Sequence, residues 1–152
     1  MYKKQEASAI RQEFWASLGR YLSPIPSATG HKINWINYKT GVKNIYFKMH
    51  ADNSEAIIRI EISGDKETQD KFFNLFLSLK KALEKYTVFR LNWQEEKEDA
   101  YGKIIACIFC TKEGVNIFKK EDWPALISFF KQNILAFDNF WAEHKEIFEM
   151  HS

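Results

Sequence analysis

Cysteine, proline and glycine are scarce in this chain, and their scarcity excludes several classes of protein. Two cysteines, Cys107 and Cys110, are too few for the disulfide framework of a small secreted domain. Six glycines and three prolines among 152 residues exclude a collagen-like or linker-like chain. Because the sequence begins MYKKQE rather than with an apolar stretch, it predicts no secretory signal. We therefore expect a protein of the reducing cytoplasm.

Long apolar runs are also missing. The longest, such as residues 104–109, are far short of the ~20 residues that a membrane-spanning helix needs. Apolar residues nevertheless make up 45% of the chain and charged residues 28%, which is typical of a folded domain. A chain of 152 residues with this composition is expected to form a single domain, 1–152, with no membrane partner.

Apolar residues at helical spacing predict three amphipathic helices. The first covers about 4–22 and the second 65–86. The third begins at Asp122, which is a suitable cap and is followed by Pro124 in the first turn. Its ~27 residues would extend about 40 Å.

Alternating or continuous apolar segments predict six strands in two groups of three. The expected strands are 33–38, 45–50 and 56–62, followed by 88–93, 103–110 and 115–118. The charged run 94–99 is expected at the tip of a hairpin. The fold class is therefore α+β, with an antiparallel-rich sheet packed by an N-terminal, a central and a long C-terminal helix.

A two-residue turn at 52–53 sets the expected register of the first hairpin. It pairs Phe47 with Ile58 on an apolar face of the sheet. It pairs Tyr46 with Arg59 on the opposite, polar face.

Three segments resemble a known bacterial family. They are KINWINYKTG at 32–41, IYF at 45–47 and DWPALISFFK at 122–131, and an FW pair follows at 140–141. In these motifs the chain is similar to domain of unknown function 4268, over nearly its whole length. The family name implies no activity. Some larger members carry a nuclease-like domain ahead of this one, so the resemblance implies a DNA-maintenance or defence context.

No catalytic or metal site is predicted. Cys107 and Cys110 have zinc-knuckle spacing, but positions i and i+3 of a strand point to opposite faces, so both are expected in the core. Glu95 and Lys97 have the spacing of a nuclease motif, yet they lie in the charged run. The four histidines match no hydrolase or metalloenzyme motif, and no glycine-rich loop predicts a cofactor.

Charge is unevenly distributed along the chain. Residues 1–50 contain eight basic and two acidic residues, and 14–51 contain no acid at all, whereas the remainder contains 14 basic and 18 acidic residues. Cations interleaved with aromatic residues are typical of nucleic-acid surfaces. The candidate binding residues are Trp35, Tyr38, Lys39, Lys43, Tyr46, Lys48, Arg59 and Arg90. The alternative interpretation is that this face is merely solvated or covered by a helix, with the aromatic residues in the core.

Three functions remain open at this point. The leading hypothesis is a non-catalytic module that binds nucleic acid through a basic and aromatic strand face. The second is a protein-interaction or self-assembly domain, because a helix of about 40 Å exceeds the ~17–20 Å of a typical strand. Such a helix is expected to overhang the sheet near Trp141 and Phe148, exposing an aromatic patch for a homodimer or partner. The third is a hydrolase whose site the sequence does not reveal.

Overall fold

Four helices and one four-stranded sheet make up residues 3–152, the part of the chain that the structure, a computed structural model, describes. The helices are α1 (Lys4–Leu22), α2 (Lys66–Ser78), α3 (Lys80–Tyr86) and α4 (Trp123–Met150). The strands are β1 (Ile45–Ala51), β2 (Glu55–Ile62), β3 (Asn92–Glu98) and β4 (Ile104–Glu113). All neighbours are antiparallel in the order β1-β2-β4-β3, which confirms the α+β class. None of these helices has the length and apolarity needed to cross a membrane.

The prediction of six strands in two groups is wrong, because 33–38 and 115–118 do not join the sheet. In the first segment the side chain of Asn34 accepts the backbone N–H groups of Ile36 and Asn37, each at 3.1 Å. In the second, the side chain of Asn116 accepts the N–H of Phe118 at 2.9 Å. These local hydrogen bonds satisfy the backbone in turns, so that an alternating apolar pattern there does not mean a strand.

The charged run 94–99, which was expected at the tip of a hairpin, belongs mostly to a strand. β3 covers Asn92–Glu98, and the turn that follows is held by Asp99, whose carboxylate accepts the N–H groups of Tyr101 and Lys103 at 2.9 Å each. Charged side chains are tolerated in β3 because it is an edge strand, where one side of the backbone faces solvent.

The first hairpin is shifted by two residues from its predicted register. Ala51 pairs with Ala56, and the turn is at 53–54 rather than 52–53. The cause is Asp52, whose carboxylate accepts the N–H groups of Ser54 and Glu55 at 2.9 and 3.0 Å and so occupies the first position of the turn. Since two residues are one full period of a strand, every side chain keeps its predicted face.

Both helices that pack on the sheet bury the same face of it. From α4, Phe137 and Trp141 contact Phe47 of β1, with ring centroids 5.4 and 5.6 Å apart. From α2, Phe73 contacts Trp93 of β3 at 6.0 Å. The resulting core is one continuous cluster of buried apolar side chains, and α1 packs on the outside of α4.

The central helix is divided in two, and this explains why α4 has no exposed aromatic overhang. The predicted helix 65–86 breaks at Leu79, where the backbone leaves helical angles (φ −106°, ψ 14°). α2 and α3 then cover the C-terminal half of α4, and Phe76 lies 4.4 Å from Phe148 between ring centroids. Trp141 is 3% exposed and Phe148 is fully buried, so the expected overhang is wrong. A partner could reach neither side chain without repacking the core.

The burial of Trp141 leads to a stability prediction. Trp141→Ala removes a buried ring and leaves the carbonyl of Thr40, 2.8 Å from the indole nitrogen, without its donor. We expect the free energy of unfolding to fall by about 3–5 kcal/mol in urea titrations. The sedimentation coefficient of the folded variant should match that of the parent chain. Tyr101→Ala is the matched control, because Tyr101 is 95% exposed. Loss of a dimer without loss of stability would contradict this assignment.

Candidate functional site

The face of the sheet that points away from the helices carries two rows of side chains across all four strands. One row consists of Lys48, Arg59, Phe109 and Asn92. The next row consists of Tyr46, Glu61, Cys107 and Gln94. No helix within residues 3–152 packs on this side, which we call the open face and define by these two rows.

The centre of the open face is organised by a buried carboxylate. Glu61 is 6% exposed, and its two oxygens accept hydrogen bonds from Lys48 Nζ at 2.9 Å and Arg59 Nε at 3.2 Å. Charge-assisted bonds of this kind hold long cationic side chains in a defined position. The side chains of Lys48 and Arg59 nevertheless remain 45% and 26% exposed, so both cations are available to a ligand.

Two aromatic rings flank this ion-pair centre. The Tyr46 ring is 42% exposed, and Lys48 Nζ lies 5.1 Å from its centroid. On the other side, Lys97 Nζ lies 5.0 Å from the centroid of Phe109. A register shift between Gln94 and Lys97 marks a bulge, which aims Lys97 onto the open face.

The tip of the β3–β4 hairpin forms an acidic border to the open face. Glu98, Asp99 and Ala100 line one wall of a depression of about 240 Å³ whose floor includes Arg59 and Phe109. Hydrogen bonds from the backbone N–H groups that follow Asp99 hold the pKa of its carboxyl below the usual range. The Asp99 carboxylate is therefore ionised at neutral pH.

Three of the predicted binding residues come together on the open face, and a fourth lies beside them. Tyr46, Lys48 and Arg59 line a shallow depression of about 250 Å³, and Tyr38 borders it from the segment before β1. Lys97 was not among the predicted binding residues, because the charged run 94–99 was expected at the hairpin tip. Phe109 was not predicted either, although the alternation of β4 could have assigned it to this face.

The other predicted binding residues lie elsewhere. Trp35 is 2% exposed and donates its indole N–H to the carbonyl of Ile25 at 2.9 Å, so it belongs to the core rather than to a binding surface. Lys43 and Arg90 are exposed in the segments before β1 and β3, off the two rows. Arg90 is outside the sheet because β3 begins at Asn92, four residues later than the predicted strand 88–93.

The two cysteines are buried and lie on opposite faces of β4, as their spacing predicts, but only Cys110 belongs to the core between the sheet and the helices. Cys107 lies on the open face, whereas Cys110 lies on the core face 3.5 Å from the side-chain oxygen of Asn133. Burial raises the pKa of the Cys107 thiol to about 11 and that of Cys110 to about 12, so both are protonated at neutral pH. Within residues 3–152 no three His, Cys, Asp or Glu side chains are grouped so as to hold a metal ion.

A second cavity, of about 510 Å³, lies between α4 and the segment 27–39. Its wall contains Asp138 of α4, which is 2% exposed. The Asp138 carboxylate accepts the Tyr38 hydroxyl at 2.6 Å, the Ser27 hydroxyl at 2.9 Å and the Ala28 N–H at 2.7 Å. This network ties the segment to α4, and we call the space the Asp138 cavity. Lys39, a predicted binding residue, lines it.

A family model matches most of the chain. The family is described as a domain of unknown function (DUF4268), and the match covers residues 10–145. Both long motifs on which the resemblance depends, 32–41 and 122–131, lie inside this range. No curated protein and no solved structure matches the chain.

The hydrogen bond between Tyr38 and Asp138 predicts a pH-dependent stability. Burial, and then the bond to Asp138, raise the pKa of Tyr38 far above its ordinary value of 10.0. As the pH rises past that value, the unfolded chain loses the Tyr38 proton while the folded chain keeps it, so the free energy of unfolding must fall. Tyr38→Phe, which costs about 2 kcal/mol at neutral pH, lacks this dependence.

The measurement is urea unfolding of the parent chain and Tyr38→Phe at neutral and alkaline pH. We expect the difference in stability between them to shrink above pH 10. Tyr101→Phe is the control. Because Tyr101 is 95% exposed, this variant should have the same stability as the parent chain at every pH. The network would be contradicted if the difference in the free energy of unfolding between the parent chain and Tyr38→Phe stayed constant from neutral to alkaline pH.

Proposed function

We propose a function for this chain, which belongs to the family described as a domain of unknown function (DUF4268): it is a non-catalytic module that binds single-stranded nucleic acid on the open face of its sheet. The observation that carries the proposal is the grouping of two aromatic rings and three cations on a sheet face that no helix in residues 3–152 covers. They are Tyr46, Phe109, Lys48, Arg59 and Lys97.

The cations supply the attraction for phosphate. Lys48 and Arg59 are cross-strand partners, and both bind the same buried carboxylate of Glu61. Lys97 adds a third cation beside this carboxylate, while the carboxylates of Glu98 and Asp99 border the group on one side only. Because Glu61 holds the side chains in place, less conformational entropy is lost when a phosphate binds them.

The rings supply stacking surfaces for bases. Tyr46 and Phe109 are on the first and third strands of the order β1-β2-β4-β3 and in adjacent rows, which places their backbones about 12 Å apart on the sheet. Exposed aromatic side chains on an antiparallel sheet are a common platform for unpaired bases. A lysine ammonium now rests over each ring.

The geometry favours single strands over duplexes. Only an unpaired base can present its face to Tyr46 or Phe109, since the bases of a duplex are already stacked on each other. The acidic hairpin tip, with Glu98 and Asp99, would repel a backbone that continued past Lys97. The expected contact is therefore short, and the expected affinity is weak and sensitive to salt.

The test is fluorescence anisotropy with labelled oligothymidine and oligouridine at several salt concentrations. Tyr46→Ala should weaken binding by about 1–3 kcal/mol by removing one stacking surface. Lys48→Gln, which can still donate to Glu61, should lower the salt slope of log affinity by about 0.7 by removing one phosphate contact. Lys81→Gln, on exposed α3, is the matched control and should bind like the parent chain.

Three outcomes would contradict the proposal. The first is the absence of binding at low salt to either oligonucleotide. The second is unchanged binding by both Tyr46→Ala and Lys48→Gln, which would place the nucleic acid elsewhere on the protein. Stronger binding of a matched duplex than of its single strands would also argue against stacking on this face.

A further inference from the structure

We infer that the Asp138 cavity is a binding site for a small organic anion, a phosphate monoester or a carboxylate. Its volume of about 510 Å³ is within the ~300–1,000 Å³ usual for small-molecule sites. The inference is independent of nucleic-acid binding on the open face, from which the cavity is separated by the residues Asn37 and Tyr38 that border both.

The charges in the cavity wall select an anion. Lys39 and Lys145 both line it, and within residues 3–152 neither forms an ion pair. Asp138 is the carboxylate in the wall, but its oxygens already accept hydrogen bonds from two hydroxyls and one backbone N–H. The cavity wall therefore has two ammonium groups without an ion-pair partner and one carboxylate whose acceptor positions are used within the protein, which leaves one net positive charge.

The position of Lys145 depends on a glycine in the facing turn. Gly41 has φ +78°, and a Cβ added there would lie only 2.6 Å from Lys145 Nζ. The ammonium group thus rests directly on the Gly41 backbone, two residues from Lys39. The turn itself is fixed by Thr40, whose carbonyl accepts the indole N–H of Trp141 at 2.8 Å and whose hydroxyl donates to the carbonyl of Ile45 at 2.7 Å.

Neutral donors and apolar surface complete the site. The side-chain oxygen of Asn34 is occupied by two backbone N–H groups, which leaves its NH₂ group to donate to a ligand. The Asn37 amide lines the same wall. Ile33 and Ala142 provide apolar surface, so the part of the ligand that carries the anionic group is expected to be organic rather than a bare inorganic ion.

The test is a titration of the isotope-labelled protein with phenyl phosphate and, separately, with benzoate, followed by backbone amide shifts in NMR. We expect shifts centred on Asn37, Lys39, Ala142 and Lys145, and the stronger of the two probes identifies the anionic group. Lys39→Gln and Lys145→Gln should each weaken binding about tenfold by removing one charged contact. Lys43→Gln is the matched control, because Lys43 is exposed in the same segment but does not line the cavity.

A steric variant tests the location without altering any charge. Ala142 is exposed on α4, so Ala142→Leu should fold normally and abolish binding by filling the cavity mouth. Benzyl alcohol, which has the ring without the charge, should not bind. The inference is overturned if neither anion shifts the cavity amides at millimolar concentration, if benzyl alcohol binds as well as the anions, or if both lysine variants bind like the parent chain. None of these outcomes bears on oligonucleotide binding by the open face.

Discussion

One-sided packing of the sheet leaves one of its two faces without a covering helix in residues 3–152. α2 and α4 both lie on the side of Phe47, Ile58 and Ile108, which are buried in the core. The opposite side has to be made compatible with water by its own side chains. At the centre of the sheet, Glu61 and its cationic partners Lys48 and Arg59 supply these polar groups. The neighbouring Cys107 is fully buried. The polar groups of the open face are therefore needed for the fold as well as for the proposed binding.

A second constraint joins the irregular segment before β1 to the longest helix. The Asp138 carboxylate holds Tyr38 and Ser27, which are 100 and 111 residues away in the sequence. Trp141, one turn further along α4, holds the carbonyl of Thr40. These bonds fix the 32–41 motif against α4. The same segment forms one wall of the Asp138 cavity and one border of the open face.

Local patterns in the sequence predicted those helices and strands that depend on residues close together in the chain. The spacing of Phe14, Leu18 and Leu22 gave α1, and the alternation in β1 and β2 assigned each side chain to its correct face. The hairpin register was wrong because it depends on which residue begins the turn, and the carboxylate of Asp52 decides this.

The candidate sites were less predictable because they depend on distant contacts. Nothing near Tyr38 in the sequence indicates Asp138, and nothing near Gly41 indicates Lys145. Lys97 reaches the open face only because a bulge interrupts the pairing of β3 with β4. The charge distribution did predict Lys48 as a binding residue, and the alternation of β1 predicts that its side chain is on the exposed face.

The proposed binding of nucleic acid by the open face can be tested with an amide shift map of the labelled protein as a short single-stranded oligonucleotide is added. We expect the perturbed amides to cluster on the two rows, at Tyr46, Lys48, Arg59 and Phe109, and those of α1 and α3 to remain unchanged. Perturbations centred on either of those helices, or none at low salt, would contradict it.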